Sequence, residues 1–132
     1  MPEINWLAVL AAALSAFLLG GLWYSPALFQ KAWQRGAGIS DDELQKAGHP
    51  GKVYGGAFVL SLIAAATFAM FLGKLPVGEA TAYGFCAGLT WVAASFGINY
   101  LFERKTMTLF LVNGGYHTLQ FTLYGLILGL WH

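Results

Sequence analysis

Residues 107–131 read MTLFLVNGGYHTLQFTLYGLILGLW, an apolar segment long enough to span a membrane whose polar side chains include four at a regular helical spacing. A helix that crosses the hydrocarbon core exposes such groups to lipid only at a cost. Successive spacings of four, three and four residues place them on one face of a helix, and we call this set the polar stripe: Asn113, His117, Gln120 and Tyr124. We predict that the stripe faces other helices, a cavity or water, and that the remaining chain surrounds it.

The composition indicates a membrane protein. Of 132 residues, 58% are hydrophobic and 10% are charged, whereas a soluble domain has about a quarter charged residues. A net charge of +1 offers no basic surface for nucleic acid. The start Met1-Pro2-Glu3 lacks the basic residues of a signal peptide, so we expect the first apolar run to be retained. Cys86 is the only cysteine, which excludes an intrachain disulfide.

The apolar runs predict an all-α fold, an integral membrane bundle of four transmembrane helices that forms a single domain over residues 1–132. The spans are expected at about residues 4–24, 52–72, 79–102 and 107–131, each near the ~20 residues that a bilayer core requires. Small residues recur along the first three spans and let helices approach closely. These small-residue ladders are Ala8, Ala12, Ala16 and Gly20; Ala57, Ser61, Ala65, Ala69 and Gly73; and Ala80, Gly84 and Gly88, followed by Ala93 and Gly97.

The connection between the first two spans contains a short amphipathic helix by prediction. We expect it over Pro26–Trp33, lying in the membrane interface and ended by Gly36 and Gly38. Ser40 and Glu43 form a capping-box pattern that opens one or two further turns, which stop near residues 48–50.

The distribution of cations predicts the orientation. Six of the seven Lys and Arg residues lie in the loops after spans one and three, and Lys74 alone lies on the other side. The positive-inside rule places these loops in the cytoplasm and both termini in the periplasm of a bacterial inner membrane. The six cations are Lys31, Arg35, Lys46, Lys52, Arg104 and Lys105. The small-residue faces exceed what one bundle uses, so we expect a homo-oligomer, with a dimer as the commonest form.

Two motifs resemble those of a known family. The first is GGLWYSPALFQKAW at residues 20–33, with Gln30 where the family often has glycine. The second combines residues 99–104 (NYLFER), 112–117 (VNGGYH) and 125–131 (GLILGLW), with Gly114 where the family often has alanine. Together they resemble the bacterial membrane-protein family catalogued as domain of unknown function 1761 over nearly the whole chain. The resemblance implies a small four-span inner-membrane protein and supplies no established activity.

The polar stripe is the strongest candidate site. One interpretation is that its side chains hydrogen-bond between helices and fix their register. The other is a polar path or pocket in which His117 binds a ligand or passes protons. Tyr24, Asn99 and Tyr100 are expected near Asn113, since all four approach the same end of the bundle. Trp23-Tyr24-Ser25-Pro26 is either a kinked gate or an aromatic anchor followed by a helix stop.

The sequence gives no sign of an enzyme. It has no phosphate-binding glycine loop and no hydrolase or zinc-protease motif. Its three histidines, His49, His117 and His132, are far apart, so we expect no metal site and no cofactor. No acidic residue lies within a predicted span.

Three functions remain open from the sequence. The stripe could line a small pore or carrier, in which case it should face a water-accessible cavity. The chain could instead be a structural or accessory membrane protein with a dry, hydrogen-bonded stripe. A small-ligand or lipid-binding protein would have a closed pocket around His117.

Overall fold

The computed structural model describes residues 3–46 and 50–132, which are 83% helical and contain no strand. A long helix runs from Val77 to Glu103 and is divided by a π-helical segment. The elements are α1 (Trp6–Trp23), α2 (Gln30–Ala37), α3 (Asp41–Lys46), α4 (Pro50–Leu72), α5 (Val77–Cys86), the π segment (Ala87–Ala93), α6 (Ala94–Glu103) and α7 (Met107–Leu130). The all-α prediction is confirmed. Residues 1, 2 and 47–49, including His49 and the predicted stop near residue 48, lie outside the described part.

Local side-chain chemistry sets the helix ends. The Asn5 side chain accepts a hydrogen bond from the Ala8 amide at 3.2 Å and begins α1. Thr106 accepts one from the Leu109 amide at 3.2 Å and begins α7. Each side chain satisfies a donor that the first turn of a helix leaves free. At the start of α3, the Ser40 hydroxyl accepts from the Glu43 amide at 3.1 Å, as the capping pattern predicts.

The helix between the first two long helices begins later than predicted. Residues 26–29 form turns rather than helix, because the amides of Leu28 and Gln30 both donate to the Ser25 carbonyl. The helix α2 therefore covers Gln30–Ala37 instead of Pro26–Trp33. Gly36 lies inside the helix, and Gly38 alone ends it with a φ of 74°, a left-handed conformation that glycine adopts at little cost.

The helix α7 lies at the centre of the bundle. It packs against α1, α2, α4, α5, the π segment and α6. Three other helical stretches are long and apolar enough to cross a membrane: Trp6–Trp23, Gly51–Leu72 and Val77–Glu103. The helix α7 is not among these three, because the polar stripe lowers its hydropathy. Its 24 residues nevertheless correspond to a length of about 36 Å.

The ladder on the third long helix lies against α7 through its whole length. Ala80, Gly84 and Gly88 are buried, and Ala93 and Gly97 continue the same contact beyond the π segment. A spacing of five residues separates Gly88 from Ala93, where the other steps are four. The π segment Ala87–Ala93 takes up this extra residue, because its hydrogen bonds span five residues instead of four. The small residues therefore stay on one face.

The other two ladders are enclosed to different extents. On α1 the predicted ladder is buried at Ala8, Ala12 and Ala16. On α4 the ladder is buried at Ser61 and Ala65 and half-buried at Ala69 and Gly73, whereas Ala57 is exposed. The helix α4 packs mainly on α1 and touches α7 less extensively.

Both ends of the described chain lie at one end of the bundle. The Asn5 side chain donates a hydrogen bond to the Trp131 carbonyl at 3.3 Å. At the opposite end, α2 packs against the beginning of α7, where Gly36 touches Leu109.

Replacing Gly125 by alanine should destabilise the bundle. A Cβ at Gly125 would collide with the Ala80 carbonyl group on α5, and backbone atoms cannot rotate away. We expect the free energy of unfolding in mixed micelles, followed by tryptophan fluorescence, to fall by about 1–3 kcal/mol. Gly56→Ala is the control, since a Cβ there meets nothing within 4 Å. Equal stability of the two variants would contradict the close packing of α5 on α7.

Candidate functional site

The polar stripe lies on the face of α7 that the other helices cover. Tyr124 is 0% exposed and Gln120 is 6% exposed, so the inner half of the stripe is enclosed. His117 and Asn113 are half-buried. The stripe thus becomes more accessible toward the beginning of α7.

The inner half of the stripe forms a hydrogen-bonded network with α4. The Gln120 Nε2 donates to the Tyr124 hydroxyl at 2.7 Å. On the other side, the Tyr124 hydroxyl lies 2.5 Å from the Ser61 Oγ and donates to the Ser61 carbonyl at 3.2 Å. Ser61 is 7% exposed. The Tyr124 hydroxyl therefore joins α7 to α4 at a place without access to solvent.

His117 extends this network by one member. Its Nδ1 lies 2.6 Å from the Gln120 Oε1. Because an amide oxygen can only accept, a neutral ring that makes this bond carries its proton on Nδ1. The imidazole also stacks on Phe96 of α6, with ring centroids 4.9 Å apart and an interplanar angle of 10°. The ring is thus fixed by one hydrogen bond and one aromatic face.

A second polar cluster surrounds Asn113. Its Oδ1 accepts a hydrogen bond from the Tyr24 hydroxyl at 2.6 Å. Its Nδ2 donates to the Tyr100 hydroxyl at 2.7 Å. One carboxamide therefore connects α7 to the residue after α1 and to α6, and the predicted meeting of Tyr24, Tyr100 and Asn113 is observed.

Asn99 does not join this cluster. Its side chain is exposed and makes no hydrogen bond to any described residue. Consecutive side chains on a helix point about 100° apart. Since Tyr100 faces α7, Asn99 is turned toward the outside of α6, and the prediction that it lies beside Asn113 was wrong.

Two contacts to backbone carbonyls were not foreseen. The Trp23 Nε1 donates to the Val112 carbonyl at 2.8 Å. The Tyr116 hydroxyl donates to the Ala16 carbonyl at 3.0 Å. The only sequence feature that points to the Trp23 contact is an aromatic residue at a helix end. For Tyr116, helical geometry predicts only that it leaves the stripe, because it is turned about 100° from His117.

Ser61 is the member of the network that the sequence pattern did not reveal. Its place in a ladder of small residues favours a packing role, yet its hydroxyl supplies the α4 end of the network. The available signal was chemical, since Ser61 is the one ladder member that can form a side-chain hydrogen bond.

The arrangement leaves no polar group of the interior without a partner. Within the described residues, every buried side-chain nitrogen and oxygen has a hydrogen-bond partner, and no group of three His, Cys, Asp or Glu side chains is placed to hold a metal ion. Two apolar grooves of about 340 and 330 Å³ lie on the surface, and none of the four stripe residues lines either one.

Tyr124→Phe should weaken the bundle because it removes the hydroxyl that Gln120 and Ser61 share. Combined with Ser61→Ala in a double-mutant cycle, we expect a coupling of about 0.6–1.7 kcal/mol in the free energy of unfolding. Thr122→Val is the matched control, since the Thr122 hydroxyl bonds only to the Thr118 carbonyl of its own helix. A coupling of zero would show that the network contributes nothing to holding α4.

Comparison with known proteins gives one match. The model of a family described as "Protein of unknown function (DUF1761)" matches residues 7–129. Neither a curated protein nor a solved structure matches the chain. The matched range includes all elements from α1 to α7 except the first residue of α1 and the last residue of α7. The chain therefore belongs to the DUF1761 family.

Proposed function

We propose that the chain is a four-span protein of the bacterial inner membrane with a structural or accessory role, in which a closed polar network holds the spans in register. The carrying observation is the enclosure of the inner half of the stripe. Tyr124, Gln120 and Ser61 are buried and bonded to one another. A dry, hydrogen-bonded stripe is the arrangement that we expect of a structural or accessory membrane protein.

Support for a fourth span comes from the position of α7. Its length of about 36 Å exceeds the ~30 Å of a bilayer core. Its polar side chains bond to one another and to neighbouring helices, which reduces the cost of placing them in lipid. The contact between Asn5 and Trp131 further supports termini on one side. With the positive-inside rule, that side is the periplasm.

The end of the bundle that we assign to the cytoplasm carries α2 and α3. The Trp33 ring packs on Tyr24 at 5.9 Å, and Gly36 rests on Leu109, so α2 is held against the spans. Its Lys31 and Arg35 side chains are exposed. The acidic first turn of α3, Asp41-Asp42-Glu43, is also exposed. We propose that this charged surface meets lipid headgroups or a cytoplasmic partner.

The pore or carrier and the ligand-binding protein remain the competing hypotheses. A pore needs a continuous water-accessible path along the stripe, and a ligand site needs a cavity beside His117. Neither described groove contains His117. His117 is only half-buried, however. A water-accessible opening beside the His117 ring would favour either the pore or the ligand-binding protein.

Cysteine labelling should establish the number of spans. In a Cys86→Ala background, spheroplasts carrying Lys74→Cys or His132→Cys should react with an impermeant maleimide. Lys31→Cys and Lys105→Cys should react only after permeabilisation, because four spans return the chain to the periplasm. Labelling of Lys74→Cys combined with protection of His132→Cys would contradict a fourth span.

Labelling within the bundle should distinguish a dry stripe from a pore. We expect Gln120→Cys and Ser61→Cys to react with a small cationic methanethiosulfonate as slowly as Ala65→Cys, an apolar position that is 0% exposed. The physical reason is that no water reaches these side chains. Reaction of Gln120→Cys as fast as Lys31→Cys would favour a pore, and flux across proteoliposomes would then be measured.

A further inference from the structure

A groove of about 340 Å³ lies between α6 and the beginning of α7, and we call it the α6–α7 groove. Both helices contribute to its walls, which are apolar for most of their length. Lys105, in the connection between the two helices, lines the groove as well. The groove is therefore an apolar recess with a positive charge at one end. Its apolar lining residues include Ala94, Gly97, Ile98, Leu101, Met107 and Phe110.

The groove opens to the outside of the bundle. Leu101 and Phe102 are 79% and 83% exposed, the two highest values among the large apolar side chains that the structure describes, and Met107 is 69% exposed. In the bilayer proposed above, such side chains contact acyl chains. Since Leu101 and Met107 also line the groove, the molecules that reach it are those of the surrounding lipid.

The length of the groove matches one leaflet. Ala94 and Lys105 are eleven residues apart, which corresponds to about 16 Å along a helix. Half of a bilayer core of ~30 Å is about 15 Å. An acyl chain that lies in the groove with its headgroup at Lys105 therefore ends near Ala94, at the middle of the membrane.

The charges at the end of the groove select the headgroup. Lys105 lines the groove, and Arg104 comes directly before it; both side chains are exposed. Glu103 is exposed too. It follows Leu101 by two residues, however, so it is turned about 200° from this lining residue. The charge that the groove presents is thus positive, which favours an anionic headgroup over a zwitterionic one.

Thr106 adds a hydrogen-bond donor at the same place. Its side chain lines the groove beside Lys105. Its hydroxyl oxygen accepts from the Leu109 amide at 3.2 Å. A hydroxyl can donate one hydrogen bond while it accepts another. The Thr106 proton is therefore available to an acceptor such as a phosphate oxygen.

We infer that the α6–α7 groove binds an anionic phospholipid of the cytoplasmic leaflet. One acyl chain lies along the apolar walls, and the phosphate meets Lys105, Arg104 and the Thr106 hydroxyl. Basic pockets between transmembrane helices on the cytoplasmic side suit such headgroups, and the cytoplasmic leaflet carries the anionic lipids. This inference rests on the membrane location proposed above and adds a lipid site to the accessory role.

Native mass spectrometry of the chain in a mild detergent tests the headgroup preference. Dioleoylphosphatidylglycerol and dioleoylphosphatidylcholine are added at equal concentrations, so that only the headgroup differs. We expect the natural chain to bind phosphatidylglycerol about five- to twenty-fivefold more tightly, since each Lys or Arg near an anionic lipid contributes about fivefold. Glycerol phosphate, which has no acyl chain, should not bind, because the apolar walls then contribute nothing.

Lys105→Gln should lower the affinity for phosphatidylglycerol about fivefold and leave that for phosphatidylcholine unchanged. Lys31→Gln is the matched control. It removes one exposed cation from the same end of the bundle, on α2, and Lys31 does not line the groove. The comparison separates a site at the groove from a general attraction of anionic lipid to the charged end.

Ala94→Trp should lower the affinity for both lipids about three- to tenfold, because an indole at this exposed position fills the groove. Ser95→Trp is the control at the same depth. Ser95 is also exposed, is turned about 100° away and lines neither groove. Circular dichroism in the same detergent checks that both variants are folded.

Three results would overturn the inference. They are equal binding of the two lipids by the natural chain, an effect of Lys105→Gln no larger than that of Lys31→Gln, and binding by folded Ala94→Trp as tight as by Ser95→Trp. Because binding is measured in detergent, these results leave the proposed function standing. Release of the natural chain from membranes by carbonate would instead contradict the proposed function, whatever lipid the chain binds in detergent.

Discussion

The bundle depends on the requirement that the polar side chains of α7 find partners inside the protein. In a bilayer no water is available to replace a missing hydrogen bond. The Tyr124 hydroxyl meets this requirement by accepting from Gln120 and bonding to Ser61 on α4. Because α4 otherwise touches α7 little, this bond is an important link between α4 and the central helix.

Close approach of backbones makes such short polar contacts attainable. On the α5 side, Gly84 and Gly125 allow the two helices to meet without intervening side chains, and Gly88 continues the contact. The π segment is needed because the small residues change spacing after Gly88. Without it, Ala93 and Gly97 would rotate away from α7, and Phe96 would lose its place against His117.

The sequence predicted the elements well because apolar length and helical periodicity are local properties. The all-α class, the stripe on one face and the meeting of Tyr24, Tyr100 and Asn113 follow from them. The start of α2 did not follow, since competing turns at Ser25 decide it. The position of Asn99 was predicted wrongly because its side chain was assumed to point the same way as that of its neighbour Tyr100. The role of Ser61 required knowing which α4 residue lies level with Tyr124, and that is set by tertiary packing.

The long helix that hydropathy alone does not select, α7, is also the one that packs against the largest number of other elements. Hydropathy alone selects α1, α4 and the helix Val77–Glu103, and the outward face of α1 is a row of leucines suited to lipid. The helix α7 is held in the bundle by hydrogen bonds and small-residue contacts with the other three long helices. In the proposed four-span arrangement, the position of α7 in the bilayer would depend on tertiary structure, whereas the composition of α1 alone is apolar enough for a span. For this reason the polar stripe makes α7 less apolar but is compatible with α7 as a fourth span.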